Sequence, residues 1–277
     1  MHCKPHYRFL LAVVSVSVLA TAGCDKLKAR DFLNKGVEAY KAAQFDRAIE
    51  DFKQAKALDP SLTSARLYLA TAYGSQYIPA VPSDENVRNG EQALAEYHEV
   101  LDSDPSNLIA IDGIGGMLYN MGSNPFDTKK MEESKSYHEK HIQLKPDDPE
   151  PYYWIGVIDY WHSFRDNHTM REDYNKTAKK PLGELDSMPA KLSTAFAAQD
   201  GTIVDEGMTN LKKAIEIKSD YDDAMAYLNL LYRQKADMET DPAARDTDTR
   251  MANDLVDKVK AIKQERMQNP QPASPAS

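Results

Sequence analysis

The sequence has few cysteines and no excess of positive charge, and each deficit excludes a class of protein. Only Cys3 and Cys24 occur among the 277 residues. Because we expect Cys3 to be removed with an amino-terminal segment, a disulfide framework is excluded. The formal net charge is −9, and no basic stripe is present that would neutralise nucleic-acid phosphates. We therefore expect no nucleic-acid partner.

Long apolar runs and catalytic motifs are also missing. The apolar run from Phe9 to Ala20 has 12 residues, fewer than the roughly 20 that a membrane-spanning helix needs. The chain has no Gly-x-Ser-x-Gly motif, no phosphate-binding loop and no Cys/His pairing. We therefore expect no enzymatic activity, no catalytic residue, no cofactor and no bound metal.

The amino terminus has the features of a secretory signal. Lys4 and Arg8 precede the apolar run, and small residues follow it up to Gly23. This order of basic, apolar and small residues is typical of an export signal that is cleaved from the mature protein. Removal of residues 1–23 would take away two basic residues and no acidic one, so the net charge would change from −9 to −11.

The cleavage site has two interpretations. Residues 19–24, Leu-Ala-Thr-Ala-Gly-Cys, resemble a bacterial lipobox, although Thr21 stands where an aliphatic residue is usual. This resemblance implies that Cys24 is lipidated and that residues 24–28 link the lipid to the fold. Asp25 then resembles the signal that retains lipoproteins at the inner membrane, on the periplasmic side. Alternatively, cleavage after Ala22 releases a soluble periplasmic or secreted protein. A lipid would explain Cys24, which is otherwise an unpaired thiol in an exported chain.

The middle of the chain contains a repeated spacing. In the first two repeats, three apolar residues precede a proline, Pro60 or Pro105, by 12, 8 and 5 residues. A third repeat has the same spacing before Pro146, and a fourth has it before Ser219. The residues at these positions are Ala48, Phe52 and Ala55, then Ala93, Tyr97 and Val100, then Ser134, His138 and His141, then Gly207, Leu211 and Ala214. The recurrence predicts an array of similar units.

Each unit should also contain a first helix. Apolar residues three and four apart predict helices over 29–42, 63–74, 108–121, 149–162 and 222–235. Gly36, Ala70, Gly115 and Gly156 occupy the same position in four of these helices. Since glycine inside a helix costs about 1 kcal/mol relative to alanine, its recurrence predicts that two helices pack closely there.

This spacing resembles the tetratricopeptide repeat (TPR), a helix–turn–helix unit of 34 residues. The resemblance implies an all-α fold, an α-solenoid of TPR-like helical hairpins with a concave groove that binds a protein or peptide. The boundaries we expect are TPR 1 over 29–62, TPR 2 over 63–107, TPR 3 over 108–148, TPR 4 over 149–221, a degenerate TPR 5 with a capping helix over 222–266, and a disordered tail over 267–277.

Insertions interrupt this pattern. TPR 2 and TPR 3 have short insertions between their helices, and TPR 4 has a long one over about 165–205. We expect a short helix from Pro189 to Ala198, a stop at Asp200 and Gly201, and a new helix capped by Thr202. The insertion is either a flap beside the groove or an inert surface excursion. At the carboxyl end, residues 248–264 carry apolar residues at helical spacing and should form the capping helix.

The resemblance also implies which side chains face the groove. In this sequence, the positions that face the groove in the TPR family hold both polar and aromatic residues. Aromatic side chains often act as anchors at interfaces. Alternatively, several of them simply pack under the TPR 4 insertion. The residues predicted to contact a partner are Tyr40, Lys41, Tyr119, Asn120, Tyr153, Val157, Tyr160, Trp161, Arg233 and Gln234.

Together these patterns indicate an exported, lipid-anchored scaffold that binds a protein or peptide at the bacterial cell envelope. Two alternatives remain. His138 and His141 lie three residues apart beside Glu139, a spacing that can hold a metal and would suit a metal-dependent hydrolase. The third possibility is a periplasmic spacer without a specific ligand.

Overall fold

The computed structural model describes residues 6–184 and 186–269, with side chains from Cys24 onward. Over this part of the chain the fold is all-α, as predicted, apart from an isolated bridge between Ser123 and Phe126. The helices are α1 His6–Lys41, α2 Phe45–Leu58, α3 Thr63–Gln76, α4 Asp84–Ser103, α5 Leu108–Ser123, α6 Thr128–Leu144, α7 Pro149–Asn175, α8 Ala190–Ile217, α9 Asp222–Met238 and α10 Pro242–Gln268. None of these described helices is both long enough and apolar enough to cross a membrane.

At both ends of the chain, part of the predicted terminal segment lies outside the described residues. The side chains of the predicted signal segment, residues 1–23, lie outside the described residues. Residues 24–28, predicted to link a lipid to the fold, are part of α1. At the other end Met267 and Gln268 still belong to α10, so the predicted tail begins later than residue 267, and residues 270–277 lie outside the described part.

The chain divides into two compact units, with the boundary between Lys130 and Met131 inside α6. In the first unit α1 packs on α2, α2 on α3, α3 on α4 and α4 on α5, and α3 also contacts α1 and α5. In the second unit α7 packs on α8, α8 on α9 and α9 on α10, while α7 also contacts α9. From α1 to α5 and from α7 to α10, therefore, each helix packs on the next, and first helices of successive hairpins touch, as in stacked helical repeats.

The positions that predicted the repeat form the interior of the protein. The apolar residues of the first two repeats are buried, and so are the less typical residues of the third and fourth. The third and fourth repeats therefore differ from the first two in the residue types at these positions, but the positions themselves are buried in all four repeats. The buried residues are Ala48, Phe52, Ala55, Ala93, Tyr97, Val100, Ser134, His138, His141, Gly207, Leu211 and Ala214.

Two glycines allow the helices of a hairpin to approach closely. A Cβ atom on Gly36 of α1 would lie 2.4 Å from the ring of Phe52 on α2. A Cβ atom on Gly156 of α7 would lie 2.3 Å from Leu211 on α8. Both distances are far below van der Waals contact, so the large side chain of the second helix occupies the space that a side chain on the first would need. The close packing predicted for this position is confirmed in both hairpins.

The TPR 4 insertion is built differently from the prediction. Instead of a separate short helix that stops at Asp200 and Gly201, α8 is continuous from Ala190 to Ile217, so the predicted stop and the cap at Thr202 are wrong. Phe196 and Val204, on either side of Gly201, are both fully buried. Burial of two such side chains stabilises the helix by about 1.5–3 kcal/mol each, which outweighs the roughly 1 kcal/mol that an interior glycine costs.

The insertion therefore lengthens both helices of one hairpin, and its connecting loop is held against α7. Arg171 donates hydrogen bonds to the carbonyl oxygens of Gly183 (3.1 Å) and Asp186 (2.9 Å). Its other terminal nitrogen lies 2.7 Å from an Asp237 carboxylate oxygen on α9. Asn175 pairs with both backbone groups of Leu182, accepting from N at 2.7 Å and donating to O at 2.9 Å. These contacts join the loop, α7 and α9.

The capping helix is longer than predicted. It begins at Pro242 because the Asp241 carboxylate accepts a hydrogen bond from the Ala243 amide at 3.2 Å, a standard amino-terminal cap. The buried residues of α10 are Ala252 and Leu255, and Val259 and Ile262 pack partly buried against the same core. Met251 precedes Leu255 by four residues and is expected on the same buried side of α10, but it is 44% exposed.

We expect Gly36→Ala to destabilise the first unit. The new methyl group overlaps the ring of Phe52, which is fully buried and stacks on Tyr68 at 5.5 Å, so the ring has little room to move. Overpacking of this kind costs roughly 1–3 kcal/mol. Thermal or urea unfolding of the full chain, followed by circular dichroism, measures the loss.

The matched control is Gly116→Ala on α5, where an added Cβ has no neighbour within 4 Å. This change should stabilise the protein by up to about 1 kcal/mol through helix propensity. Equal stabilities of the two variants would refute the role assigned to Gly36.

Candidate functional site

Aromatic side chains of α7 and α9 form one continuous cluster in the second unit. On α7, Tyr160 lies 5.3 Å from Trp161 and 5.6 Å from Phe164, measured between ring centroids. Tyr227 of α9 lies 5.4 Å from Tyr160 and 5.8 Å from Tyr153. We call Tyr153, Tyr160, Trp161, Phe164 and Tyr227 the aromatic face. The α7 members follow helical spacing and so share one side of that helix.

Exposure varies across the aromatic face. Tyr160 is 8% exposed, and Tyr153 and Tyr227 are half-buried, whereas Trp161 is 37% and Phe164 is 41% exposed. The tyrosines therefore form a packed base, and the tryptophan and phenylalanine project from it. Burial, with Tyr227 adding to it, raises the pKa of Tyr160 to about 12, so this phenol stays protonated at neutral pH.

The ring geometry makes this surface well ordered. Trp161 and Phe164 meet at 88° with centroids 5.7 Å apart, and Tyr160 meets Tyr227 at 71°. Edge-to-face pairs of this kind are each worth about 0.5–1.5 kcal/mol beyond the area they bury. Because the exposed rings are already held in place, a ligand that binds to them has little side-chain motion to arrest.

Three residues predicted to contact a partner lie instead beneath the surface. Val157 is 1%, Tyr160 8% and Gln234 5% exposed, and the Gln234 amide donates to the Tyr160 carbonyl oxygen at 3.5 Å. Their positions in the repeat face inward because the second unit packs α9 against α7. The burial of these three residues favours the alternative interpretation, in which they pack in the interior.

The remaining predicted contact residues are accessible to different degrees. Arg233 is exposed but donates to Asn229 (3.0 Å) and to Asn253 of α10 (2.9 Å). In the first unit, the Tyr40 hydroxyl forms a hydrogen bond of 2.9 Å with the Ser75 hydroxyl. Lys41 and Asn120 are exposed and Tyr119 is half-buried.

The histidine pair of the hydrolase alternative is part of the core. His138 is 2% and His141 3% exposed, and the His138 ring stacks on Trp154 with centroids 6.0 Å apart. Neither ring nitrogen of His138 has a hydrogen-bond partner among the described residues. Burial, with a smaller contribution from His141, lowers the pKa of His138 to about 4. His138 thus fills the position that Phe52 and Tyr97 fill in the first two repeats.

Two groups of functional candidates escaped the sequence analysis. Phe164 and Tyr227 complete the aromatic face, and the spacing of Phe164 three residues after Trp161 was the available signal for one of them. The second group is His162, Asp166 and Asp200, which present ligand atoms within 4.8 Å of one another. Within the described part of the chain this is the one such group of three metal-ligand side chains, and it does not include His138 or His141.

Comparison with known proteins identifies the fold. No family model matches the chain, and no curated protein matches it. MamA, residues 41 to the end, from Desulfovibrio magneticus RS-1 superposes with a TM-score of 0.54 at 13% identity, covering 86% of this chain and 97% of that one.

Two further solved structures resemble the chain. Another structure of MamA has a TM-score of 0.50 at 15% identity, with 90% and 98% of the two chains covered. YrrB, described as a TPR protein with an unusual peptide-binding site, has a TM-score of 0.48 at 15% identity over 85% of this chain and 87% of that one. The structural neighbours are TPR proteins, and at such identities the likeness is one of fold alone.

We expect His138 to make the protein less stable in acid. Between its ordinary pKa of 6.5 and the folded value of about 4, the unfolded chain binds a proton that folded His138 does not, so stability falls as the pH falls through this range. The accumulated loss is roughly 3 kcal/mol by pH 4.

His138→Phe should remove this dependence, because it restores an aromatic residue at a position where aromatics occur in other repeats. The measurement is the difference in free energy of unfolding between variant and wild type from pH 7.5 to 4, in which contributions from other groups cancel. His168→Gln is the control, since His168 is exposed. A difference that does not change with pH would contradict the role given to His138.

Proposed function

We propose that the protein is an exported, lipid-anchored scaffold that binds a protein or peptide partner on its aromatic face. The observation that carries the proposal is the exposed pair Trp161 and Phe164 on a base of packed tyrosines. Tryptophan and tyrosine are enriched among the residues that dominate binding energy, and such residues cluster in desolvated patches. The TPR-like fold supports this proposal, because such repeats present extended surfaces for binding.

The partner that suits this surface is a segment with an apolar or aromatic side chain. Trp161 and Phe164 offer ring faces and edges between which such a side chain can insert. The net charge of −11 that follows from removal of residues 1–23, down from −9 for the full chain, favours basic residues in the partner, because long-range attraction raises the rate of association.

The hydrolase alternative loses support from the burial of its histidines. A catalytic metal needs an open coordination position for water or substrate. His138 and His141 are buried beside Trp154, so a substrate cannot reach them in this conformation. The spacer alternative makes a different prediction from ours, namely that no ligand depends on the aromatic face.

We place the protein on the periplasmic side of the inner membrane, held by a lipid on Cys24. Cys24 is exposed and has no disulfide partner among the described residues, and Asp25 follows it. A single acyl chain gives only marginal membrane binding, whereas several chains together give stable anchoring. Cleavage after Ala22 would instead produce a soluble protein.

The peptide-binding proposal is tested with a displayed random peptide library selected against the purified full chain. We expect selected peptides to bind Trp161→Ala and Phe164→Ala at least ten times more weakly than wild type, a loss of about 1.4 kcal/mol. Because both side chains are partly exposed, these variants should keep their helical content, and the lost ring contacts should lower the melting temperature by only a few degrees.

The control for this experiment is Ile109→Ala, since Ile109 of α5 is 61% exposed and lies outside the aromatic face. Selected peptides should bind this variant as they bind wild type. If the selected peptides bound wild type and all three variants with equal affinity, the aromatic face would not be the binding site, and the spacer alternative would be favoured.

The lipid anchor is tested by expression in bacteria with an alkyne-labelled fatty acid. We expect the wild type and Cys3→Ser to incorporate the label and Cys24→Ser to remain unlabelled, because the thioether can form only at the lipobox cysteine. Mass spectrometry of the amino-terminal peptide provides a second readout. A wild-type protein that begins at Gly23 with a free thiol would show that the ordinary signal peptidase cleaves it.

A further inference from the structure

The helical extensions created by the TPR 4 insertion bring three metal-ligand side chains together. His162 and Asp166 are four residues apart on α7 and therefore lie on one face of that helix. Asp200 lies on α8, which packs against α7. Each of the three offers a ligand atom, and these atoms lie within 4.8 Å of one another. None of them belongs to the aromatic face.

Asp200 is in an unfavourable environment unless a cation is bound. Its side chain is 0% exposed, and neither carboxylate oxygen has a hydrogen-bond partner in the described part of the chain. A buried carboxylate without a partner is costly, which is why buried charges are paired or coordinate metals. A bound cation would offset this cost.

The surroundings support the ligands in the manner of a metal site. The Gln199 amide donates to Asp166 Oδ2 at 2.6 Å, which orients that carboxylate. Glu132 Oε1 lies 3.9 Å from His162 Nδ1, and a carboxylate behind a histidine is a common outer-shell arrangement around metals. The cluster thus has three candidate ligands, of which Asp166 is oriented by a hydrogen bond from Gln199, and a carboxylate near His162 but beyond hydrogen-bond distance.

The set of ligand atoms indicates which ions can bind. One imidazole with two carboxylates suits Zn²⁺ and Mn²⁺, whereas Ca²⁺ and Mg²⁺ prefer oxygen ligands throughout. In tetrahedral coordination with bond lengths of about 2.0–2.2 Å, the ligand atoms on one ion lie roughly 3.3–3.6 Å apart, so these atoms must approach one another by up to about 1.5 Å. The observed spacing is close enough for small side-chain rotations to close it.

We propose that His162, Asp166 and Asp200 bind a divalent transition-metal ion, Zn²⁺ or Mn²⁺, that joins the extended parts of α7 and α8. Three protein ligands leave further coordination positions for water. This site does not depend on the function proposed above, because none of its three ligands belongs to the aromatic face.

The test uses the full chain without a histidine tag, freed of metal by a chelator and then dialysed. Titration with ZnCl₂ and with MnCl₂ in a calorimeter should show one saturable site for at least one of these ions. We expect His162→Gln and Asp200→Asn each to weaken binding at least tenfold. His168→Gln, which changes an exposed histidine on the same helix, should bind as wild type does.

A second measurement distinguishes lost ligands from lost structure. In chelator, Asp200→Asn should melt at the same temperature as wild type or higher, because it removes a buried carboxylate. The binding ion should raise the melting temperature of wild type and of His168→Gln but not that of Asp200→Asn.

Three results would overturn the proposal. The first is a titration in which wild type shows no saturable site for either ion. The second is a titration in which His162→Gln and Asp200→Asn both bind the ion as tightly as wild type does. The third is a metal-free Asp200→Asn protein that melts well below metal-free wild type, which would show that this carboxylate is stabilising without an ion.

Discussion

The fold depends on close contact between a glycine of one helix and a large side chain of the next. Gly36 packs against Phe52 in a hairpin of the first unit, and Gly156 packs against Leu211 in a hairpin of the second. Each contact sets the distance between the two helices of its own hairpin. No disulfide occurs among the described residues, so this packing and the burial it permits must provide most of the stability. Repeat proteins are stabilised in the same way, by the sum of each hairpin and its interfaces with its neighbours.

The second unit retains the repeat geometry while burying more polar groups. Lys135 lies 2.9 Å from both Asp159 and Glu206, Arg171 pairs with Asp237, and His138 occupies an aromatic position. A buried ion pair often contributes little net stability because desolvation offsets the attraction. Such pairs do, however, require particular partners, and here they join the lengthened helices α7 and α8 to α6 and α9. Within the described part of this polar interior, Asp200, like His138, has no hydrogen-bond partner on its side-chain polar atoms.

The aromatic face and the candidate metal cluster follow from the same feature, the unusual length of α7. A repeat-length helix would end near residue 162, whereas α7 continues to Asn175. The extra turns carry Phe164, which completes the exposed aromatic pair, and Asp166, which completes the ligand set with His162. Trp161 and His162 are adjacent in sequence but belong to these two different groups. The insertion therefore lengthens the two helices of a hairpin instead of forming a separate flap, and it adds side chains to both proposed sites.

The sequence by itself determined the all-α fold, the hairpin register and the close-packed glycine positions, because these depend on spacings of a few residues within or between adjacent helices. It also predicts an export signal and a lipidation site at Cys24, which are local motifs and stay predictions. Only the tertiary structure decided that α8 continues through Gly201, since burial of Phe196 and Val204 outweighs local propensity. It also decided that Val157 and Gln234 are interior, and it brought Asp200 to His162 and Asp166. Those contacts join residues far apart in the chain, and their burial depends on how neighbouring helices pack.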